Sequence, residues 1–567
     1  MSTDPGRLSV VLCWHMHQPD YRGPGGREYQ LPWVYLHALK DYSDMAAHLE
    51  EVPQARAVVN FAPVLLEQIE DYAAQVRAWQ ARGRRIRDPL LAALAGPGLP
   101  LDASSRRELV AACRKANVTH LIDRFPCMRE LTDLADWFGR HRKADIYVND
   151  QFLTDLLVWY HLAWTGEHIR DNDQRIASLQ KKGRGFDLDD RRALVAVIGE
   201  QLDAIVPRYR RLAETGQVEL SFSPYAHPIV PLLLSMETAR EALPEADLPQ
   251  LTAYPGGEER ARWHIRRGLE TFERYFGFRP TGCWPSEGAL CQDTVRLLEA
   301  DGVRWAASGQ QVLHNSLTIS ADGEQLPAHW LTRPYRVRDG ALHCFFRDDG
   351  LSDLIGFTYG EWHAEDAVSN LIEHLERIAD ATEGQSNRVL SIILDGENAW
   401  EYYPHNASFF LPTLYRRLSE HPRLALTTFS SALNGLSGPT PQLSRLVAGS
   451  WVYGNLSTWI GARDKNRAWD MLGEAKAVYD RALAERNWNQ REREGLELQL
   501  AICEGSDWFW WFGDENPGDA VSDFEQLYRH QLQQLYKLLG ERPPEYLSRP
   551  FTSSSGTAAH GGVMKKN

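Results

Sequence analysis

Two carboxylates in this sequence stand where a strand or a turn would present them to a ligand. Asp395 ends the strongly apolar run Val389–Leu394, and Glu287 lies in a turn beside Gly288. A carboxyl group at the end of a buried strand is poorly hydrated, which raises its pKa and favours the protonated acid. An acid and a carboxylate nucleophile that flank one bond, roughly 5–5.5 Å apart, are the parts of a retaining glycosidase. The alternative is that Asp395 or Glu397 caps a helix and that Glu287 is a solvated turn residue.

Histidines that follow two predicted strands allow a different chemistry. His15 and His17 alternate at the end of the first strand, so both side chains could project from one face. With an acid nearby, or with His227 as a third ligand, they could hold Zn²⁺ for a metal-dependent hydrolase. The setting of His227, between Ala226 and Pro228, fits hydrogen bonding to sugar hydroxyls equally well. A packing role stays open for all three histidines.

A cluster of tryptophans follows an acidic turn near the end of the chain. Trp508, Trp510 and Trp511 come directly after Asp507. Such a run is more often part of a core than a platform for a ligand. The polar residues from Glu504 to Asp507 nevertheless favour an exposed surface on which a sugar ring could stack.

Short apolar runs that alternate with helical segments predict the framework that positions these residues. The runs end in polar clusters, and segments such as Glu258–Tyr275 and Glu365–Ala379 have a helical pattern. Strands that alternate with helices predict a parallel sheet, open or closed, with its chemistry at the C-terminal ends of the strands. The predicted strands are Leu8–Trp14, Asp145–Val148, Val218–Phe222, Val303–Ala306, His343–Phe346 and Val389–Leu394.

Two regions depart from this alternation. Residues 65–215 are charged and mostly helical, which predicts a helical excursion from the barrel. Beyond about residue 430, a Pro/Gly/Ser-rich stretch precedes predicted helices at Lys465–Asn487 and Gln490–Ile502 and a last one at 522–539. We therefore predict a catalytic unit at 1–435, a mainly helical domain at 436–546 that completes the cleft, and a disordered tail at 547–567.

The composition is that of a soluble globular protein. The 567 residues allow about three or four domains of roughly 150 residues, or one elaborated barrel. A net charge of −14 argues against a nucleic-acid or anionic-membrane partner. No apolar run approaches the roughly 20 residues of a membrane-spanning helix. Seven scattered cysteines without a Cys-x-x-Cys pair, and a first apolar run too short for a secretion signal, predict a cytoplasmic location.

Five motifs, taken in chain order, resemble those of glycoside hydrolase family 57, and the last two resemble its α-amylase and amylopullulanase branch. Any one motif would be weak, but the five span residues 15–511. The third has Trp-Pro-Ser-Glu-Gly where other branches often have Trp-Leu-Pro-Glu, so bond specificity is not predicted. The motifs are His15-Met-His17-Gln-Pro19, Gln217-Val-Glu-Leu220, Trp284-Pro-Ser-Glu287, Leu394-Asp-Gly-Glu-Asn-Ala-Trp400 and Gly505-Ser-Asp-Trp-Phe-Trp-Trp511.

The resemblance implies an α/β fold, an incomplete (β/α)7 TIM-like barrel with helical insertions and a C-terminal helical domain. It also implies retaining cleavage of α-glucosidic bonds in α-glucans or maltooligosaccharides, without a metal or another cofactor, and leaves α-1,4 and α-1,6 bonds open as targets. Glu287 then occupies the place of the nucleophile and Asp395 that of the general acid/base. The residues expected to bind substrate are His15, His17, His227, Trp284, Arg347, Asp348, Trp400, Trp451, Trp459, Asp507 and Trp508.

Three rivals to an endo-acting α-glucan hydrolase stay open. A 4-α-glucanotransferase or an α-glucan branching enzyme would use the same two carboxylates and differ in whether water is excluded from the acceptor site. A Zn²⁺ hydrolase would be built on His15 and His17. A glucan-binding protein without activity is disfavoured because both carboxylates are present, although a fold alone never establishes activity.

Overall fold

One sheet of ten strands organises the part of the chain that the computed structural model describes, which comprises residues 6–26, 28–320, 326, 328–513, 515–516 and 518–552. Its strands are β1 (Leu8–Met16), β2 (Ala57–Phe61), β3 (Val218–Phe222), β4 (Gly282–Cys283), β5 (Trp305–Ser308), β6 (Tyr335–Val337), β7 (His343–Phe346), β8 (Val389–Asp395), β9 (Leu424–Thr427) and β10 (Gln442–Leu443).

Seven of these strands run parallel in the order β7-β5-β4-β3-β2-β1-β8 and form a curled sheet. The two outer strands meet through a single bridge between Arg347 and Ser391, where the Asp348 N–H donates to the Ser391 carbonyl at 2.8 Å. The sheet therefore curls into an incomplete barrel, which confirms the predicted fold class. On its margins β6 pairs antiparallel with β7, β10 pairs with β6, and β9 pairs with the first half of β1.

The central strands are mostly apolar. Parallel strands that are covered on both faces need near-continuous apolar sequence, and all nine residues of β1 and the first six of β8 are buried. Several polar side chains fall in register at the carboxyl ends of the strands. His15 of β1 pairs with Asn60 of β2 on one side and with Asp395 of β8 on the other. This edge of the sheet therefore gathers the groups that could do chemistry.

Helices cover the sheet and build the two regions outside it. Their bounds are α1 (Trp33–His37), α2 (Ser43–Glu51), α3 (Pro63–Arg82), α4 (Pro89–Ala95), α5 (Ala103–Ala112), α6 (Pro126–Arg140), α7 (Asp150–Ala163), α8 (Glu167–Asn172), α9 (Gln174–Lys182), α10 (Leu188–Glu214), α11 (Val230–Leu234), α12 (Ala239–Ala242), α13 (Gly257–Phe276), α14 (Gln292–Ala300), α15 (Gln310–Ser320), α16 (Asp349–Phe357), α17 (Ala364–Ala381), α18 (Phe410–Ser419), α19 (Phe429–Asn434), α20 (Arg463–Glu485), α21 (Gln490–Cys503), α22 (Ser506–Trp511) and α23 (Gly518–Leu538).

The helical excursion lies between β2 and β3, where α3 begins at Pro63 and α10 ends at Glu214. The predicted strand Asp145–Val148 is wrong, because Arg142–Tyr147 forms a 3-10 helix. That segment lies among helices of the excursion, and no strand of the described residues pairs with it. Its β-branched residues alone are therefore not enough to make it a strand.

The C-terminal region is helical, as expected, and packs closely on the barrel. Helices α20, α21 and α22 pack on α23, and Tyr528 of α23 donates to the Ala468 carbonyl of α20 at 2.9 Å. The sheet itself continues past residue 435, since β10 lies at Gln442–Leu443. The predicted tail begins too early, because Leu547 is buried within a 3-10 helix at Glu545–Ser548. Residues 553–567 of that predicted tail lie outside the described residues.

Among the described helices, none combines the length and the apolar character that crossing a membrane requires.

Candidate active site

Glu287 and Asp395 lie at the carboxyl ends of β4 and β8, on one edge of the curled sheet. Glu287 has a φ of 58°, in the left-handed region that a non-glycine residue adopts only at a cost. Its Oε2 accepts a hydrogen bond from Trp451 Nε1 at 3.0 Å. Asp395 Oδ2 accepts a hydrogen bond from Asn398 Nδ2 at 2.9 Å. Both carboxylates thus accept from side-chain donors rather than from a helix N-terminus, and both are held before any ligand binds.

Burial raises the pKa of both carboxyl groups. For Glu287, burial is the larger cause and the charge of Asp395 the second, and together they raise the pKa to about 8 against the opposing charge of His17. Burial also raises the pKa of Asp395, against the hydrogen bond from Asn398. Because the charge of one carboxylate disfavours ionisation of the other, the two groups titrate as a coupled pair in which a singly protonated state is favoured.

Three histidine rings form a stack beside the Glu287 carboxylate. The ring centroids of His17 and His227 are 3.7 Å apart, and that of His15 lies 5.1 Å from His227 and 5.6 Å from His17. His227 Nδ1 lies 3.8 Å from Glu287 Oε1. Among the described residues, His15 Nε2, His17 Nδ1 and His227 Nε2 have no hydrogen-bond partner although they are buried. Buried polar atoms are usually hydrogen-bonded, so these three nitrogens are candidates for contact with a ligand.

His15 is oriented by a polar chain across three strands. Its Nδ1–H donates to Asn60 Oδ1 at 2.7 Å, and the Asn60 side chain is held in turn by Ser221 and Ser223. Burial, with a contribution from the charge of His17, lowers the pKa of His15 to about 3, so its ring is neutral. Its Nε2 is therefore an acceptor. We did not predict Asn60, although an amide at the end of the apolar run 57–61 was a usable signal.

The other two histidines are held by the C-terminal region. His17 Nε2–H donates to Asp507 Oδ1 at 2.8 Å, and His227 Nδ1 is hydrogen-bonded to Ser506 Oγ at 3.0 Å. Burial opposes a charge on His17, but the Asp507 carboxylate, with Glu287 and Asp395, raises its pKa above the ordinary value. Burial lowers the pKa of His227 well below that value. The site therefore contains one histidine that favours the charged form beside two that favour the neutral form.

The same three histidines are the residues that could hold a metal ion. One ring nitrogen from each lies within 4.8 Å of the others. Three nitrogens around a tetrahedral Zn²⁺, each at about 2.0–2.1 Å, would lie about 3.4 Å apart. The rings are stacked with interplanar angles of 14° to 20°, so their in-plane lone pairs lie in nearly parallel planes. Binding one ion with all three would require the rings to turn away from their present partners.

Arg347 and Asp348 occupy the seam between β7 and β8. The Arg347 guanidinium donates to the Ile393 carbonyl at 2.9 Å, to Asp349 at 2.7 Å and to Asp353 at 2.8 Å. It also lies 5.6 Å from the centroid of the Trp451 ring. The Asp348 carboxylate caps α16 by accepting from the Leu351 N–H at 2.9 Å, which is a structural role.

The tryptophans expected to bind substrate divide into two groups. Trp451 is partly exposed and contacts Glu287, and it packs edge to face on Trp284, with centroids 5.2 Å apart; Trp284 is itself 0% exposed and reaches the site only as support for Trp451. Trp400, Trp459 and Trp508 are enclosed, with exposed fractions of 1%, 0% and 2%. Trp400 packs on Trp14 and Tyr403, Trp459 on Trp510, and Trp508 on Phe524 and Tyr528. We therefore assign these three to packing rather than to a sugar-binding surface.

Glu397 supports the floor of the site instead of capping a helix. Its Oε1 accepts from the His17 backbone N–H at 3.3 Å and from Gln18 Nε2 at 3.2 Å. Burial, together with the charges of Asp395 and Asp41, raises its pKa well above the ordinary value. These two hydrogen bonds fix the chain that carries the histidines.

A family model described as glycosyl hydrolase family 57 matches residues 11–443, which is more than half of the chain. A 1,4-alpha-glucan branching enzyme from Thermococcus kodakarensis is 22% identical over 374 residues, or 54% of this chain. That alignment spans 51% of the branching enzyme, so the match covers about half the length of this curated relative.

Solved structures of low sequence identity share the fold. The crystal structure of a branching enzyme from Thermococcus kodakaraensis in complex with glucose superposes with a TM-score of 0.58 at 17% identity, over 94% of this chain and 90% of that one. An alpha-amylase from Thermotoga maritima gives a TM-score of 0.56 at 14% identity, over 95% of each chain. Together with the family model, these observations confirm the resemblance of the five motifs: the chain belongs to glycosyl hydrolase family 57.

Proposed function

We propose that the protein is a retaining glycosidase that cleaves α-glucosidic bonds in α-glucans, with Glu287 as nucleophile and Asp395 as general acid/base. The observation that carries this proposal is the pair of largely enclosed carboxylates, the charge of Asp395 raising the pKa of Glu287, at the carboxyl ends of β4 and β8 on one edge of the barrel. Two such acids that share one proton supply both an attacking carboxylate and a proton donor. The names of the similar proteins, a glucan branching enzyme and an amylase, support α-glucans as the substrate class.

The mechanism follows from how the proton is shared. In the active form Asp395 holds the proton, which removes the charge that raises the pKa of Glu287. Glu287 then attacks the anomeric carbon as a carboxylate while Asp395 protonates the departing oxygen, and a glycosyl-enzyme forms. In the second step Asp395 takes a proton from the incoming hydroxyl, whose oxygen replaces Glu287 on the anomeric carbon.

The histidines support the reaction in two ways, His17 through its positive charge and His15 as a neutral hydrogen-bond acceptor. The positive charge that Asp507 favours on His17 lowers the pKa of Glu287 and so stabilises the attacking carboxylate. His15 offers its neutral Nε2 as an acceptor for a sugar hydroxyl. We assign all three histidines, with Asp507, to the sugar that becomes bonded to Glu287.

Hydrolysis is the leading activity, with water as the incoming hydroxyl. Transfer to a second glucan is the alternative, and the names of the branching enzymes among the similar proteins favour it. Both activities use the same carboxylates, and the products distinguish them.

The test is incubation of the purified protein with maltoheptaose in the presence of EDTA, with the products separated by chromatography. Shorter maltooligosaccharides alone would establish hydrolysis, whereas products longer than the substrate would establish transfer. If EDTA abolished all conversion and added Zn²⁺ restored activity, the carboxylate mechanism would be wrong and His15, His17 and His227 would become candidate metal ligands.

A further inference from the structure

A cavity of about 740 Å³ lies next to Arg347, since two of its wall residues, Asp349 and Asp353, accept hydrogen bonds from that guanidinium. This volume falls within the range of about 300–1,000 Å³ typical of small-molecule sites. Helices α15 and α16 and the turn 450–455 contribute most of its walls. The side chains that matter for the argument are those of Gln311, Asn315, Asp349, Asp353 and Tyr453.

The cavity is joined to the catalytic pair through two side chains. Asp349 and Asp353 in its wall both accept hydrogen bonds from Arg347. The Arg347 guanidinium lies over the ring of Trp451, whose Nε1 donates to Glu287 Oε2. A chain of direct contacts therefore runs from the cavity wall to the proposed nucleophile.

The two oxygens of Glu287 face different neighbours. Oε1 lies 3.8 Å from His227, which belongs to the histidine stack, and Oε2 accepts from Trp451. The contacts from the cavity wall through Arg347 and Trp451 reach Glu287 at Oε2, the oxygen that does not face His227. If the histidines hold the sugar that is bonded to Glu287, the cavity is left for the sugars on the other side of the reacting bond.

The wall that carries Tyr453 is built rigidly. The Ser450 hydroxyl donates to the Val452 carbonyl, and the same Oγ accepts from the Val452 N–H, both at 3.1 Å. Gly454 has a φ of 64°, and a Cβ at this position would lie 2.4 Å from Gln311 Cβ, so only glycine fits. Tyr453 itself has a φ of 56° and is 48% exposed. An exposed aromatic ring on a strained, fixed turn is suited to stacking against a ligand.

We propose that this cavity binds the acceptor-side segment of an α-glucan, with the Tyr453 ring as its stacking platform and the polar wall contacting sugar hydroxyls. This inference rests on the proposed function. In the second step the hydroxyl oxygen of the bound glucan forms a bond to the anomeric carbon. The bond from that carbon to Glu287 breaks, and the hydroxyl proton passes to Asp395. A filled cavity therefore favours transfer, and an empty one leaves the glycosyl-enzyme to water.

The test uses α-maltosyl fluoride as donor and maltotriose as a separate acceptor. Fluoride leaves without an acceptor-side sugar, so its release reports the first step, and the KM for maltotriose reports the cavity. We expect Tyr453→Ala to raise the KM for maltotriose by about three- to tenfold, because the stacking contact is lost. Tyr453→Phe, which keeps the ring, should stay close to the parent protein.

Two further variants control for folding. Tyr453→Asn removes the ring but tolerates the left-handed backbone, and it should behave like Tyr453→Ala. Tyr147→Ala removes a tyrosine that is 68% exposed in the helical excursion and should leave the acceptor KM unchanged. Normal fluoride release with an acceptor KM altered less than twofold in both Tyr453 variants would overturn this inference alone. An absence of fluoride release from the parent protein would overturn the proposed function and this inference with it.

Discussion

Glu287 and Asp395 have different proposed tasks, and substitution separates them. We expect Glu287→Gln to lower kcat on maltoheptaose by about 10³-fold or more, because no nucleophile remains. Asp395→Asn should lower it by about 10²–10⁴-fold, because the proton donor is lost. With α-maltosyl fluoride, Asp395→Asn should still release a single rapid equivalent of fluoride, because fluoride leaves without a proton, whereas Glu287→Gln should release none.

Both variants should fold normally, which circular dichroism and thermal unfolding will check. Near-normal turnover by either variant would show that its residue is not a member of the catalytic pair.

The proton held between the two carboxylates sets the alkaline side of the activity profile. Since the singly protonated pair is the active form and the pKa of Glu287 is raised to about 8, kcat/KM should fall as the pH rises through about 8. Asp395→Asn removes the second cause of that raised pKa. The residual activity of this variant should therefore no longer decline near pH 8, and an unchanged alkaline limb would assign that limb to another group.

The turn after β4 fixes the nucleophile through a strained backbone. Gly288 has a φ of 60°, and a Cβ there would lie 2.8 Å from the Trp284 ring. We expect Gly288→Ala to reduce the free energy of unfolding by about 1–3 kcal/mol and to lower kcat by displacing Glu287. Chemical denaturation measures the first effect. Gly98→Ala is the matched control, since nothing lies within 4 Å of its added Cβ, and a similar loss in both variants would contradict the argument.

The elements that could be predicted from sequence are those with a long local pattern. Val389–Leu394 is apolar apart from Ser391, Val218–Phe222 alternates apolar with polar residues, and the structure has strands at both. The two-residue strands β4 and β10 carry no such pattern, because they exist only through pairing with neighbours in the curled sheet. The site follows the same rule. Histidines and carboxylates at strand ends were predictable, but the partner of His15 lies 45 residues away and depends on strand order.

At the scale of the whole molecule, a buried ionic cluster fastens the C-terminal helices to the barrel. Glu504, at the end of α21, accepts hydrogen bonds from Arg260 at 2.7 Å and from Tyr254 at 2.6 Å, and lies 2.7 Å from His264. Burial alone would raise the pKa of Glu504, but Arg260 and His264 lower it to about 2. The next residues along the chain, Gly505 to Asp507, reach the histidine stack, so this cluster also positions the site.

We expect Glu504→Gln to destabilise the protein by about 3–5 kcal/mol, because it leaves Arg260 buried without its counter-charge. The contribution of Glu504 to stability is fully present above its ordinary pKa of 4.5 and is lost as the pH falls toward 2. Thermal unfolding between pH 7 and 3 should therefore show a smaller pH dependence in Glu504→Gln than in the parent. The control is Glu545→Gln, which breaks an exposed pair with Arg549 and should cost at most about 1 kcal/mol. Equal effects of the two variants would contradict this role.

The hydrogen bond between His17 and Asp507 joins residues 490 positions apart in the chain. At a synthesis rate of about 5–20 residues per second, roughly 25–100 s separate the appearance of these two partners on the ribosome. Once Asp395 has been made, the nascent barrel has both carboxylates but still lacks Ser506 and Asp507, the groups that hold His227 and His17. The growing polypeptide is therefore unable to complete its histidine stack until nearly all of it has been made.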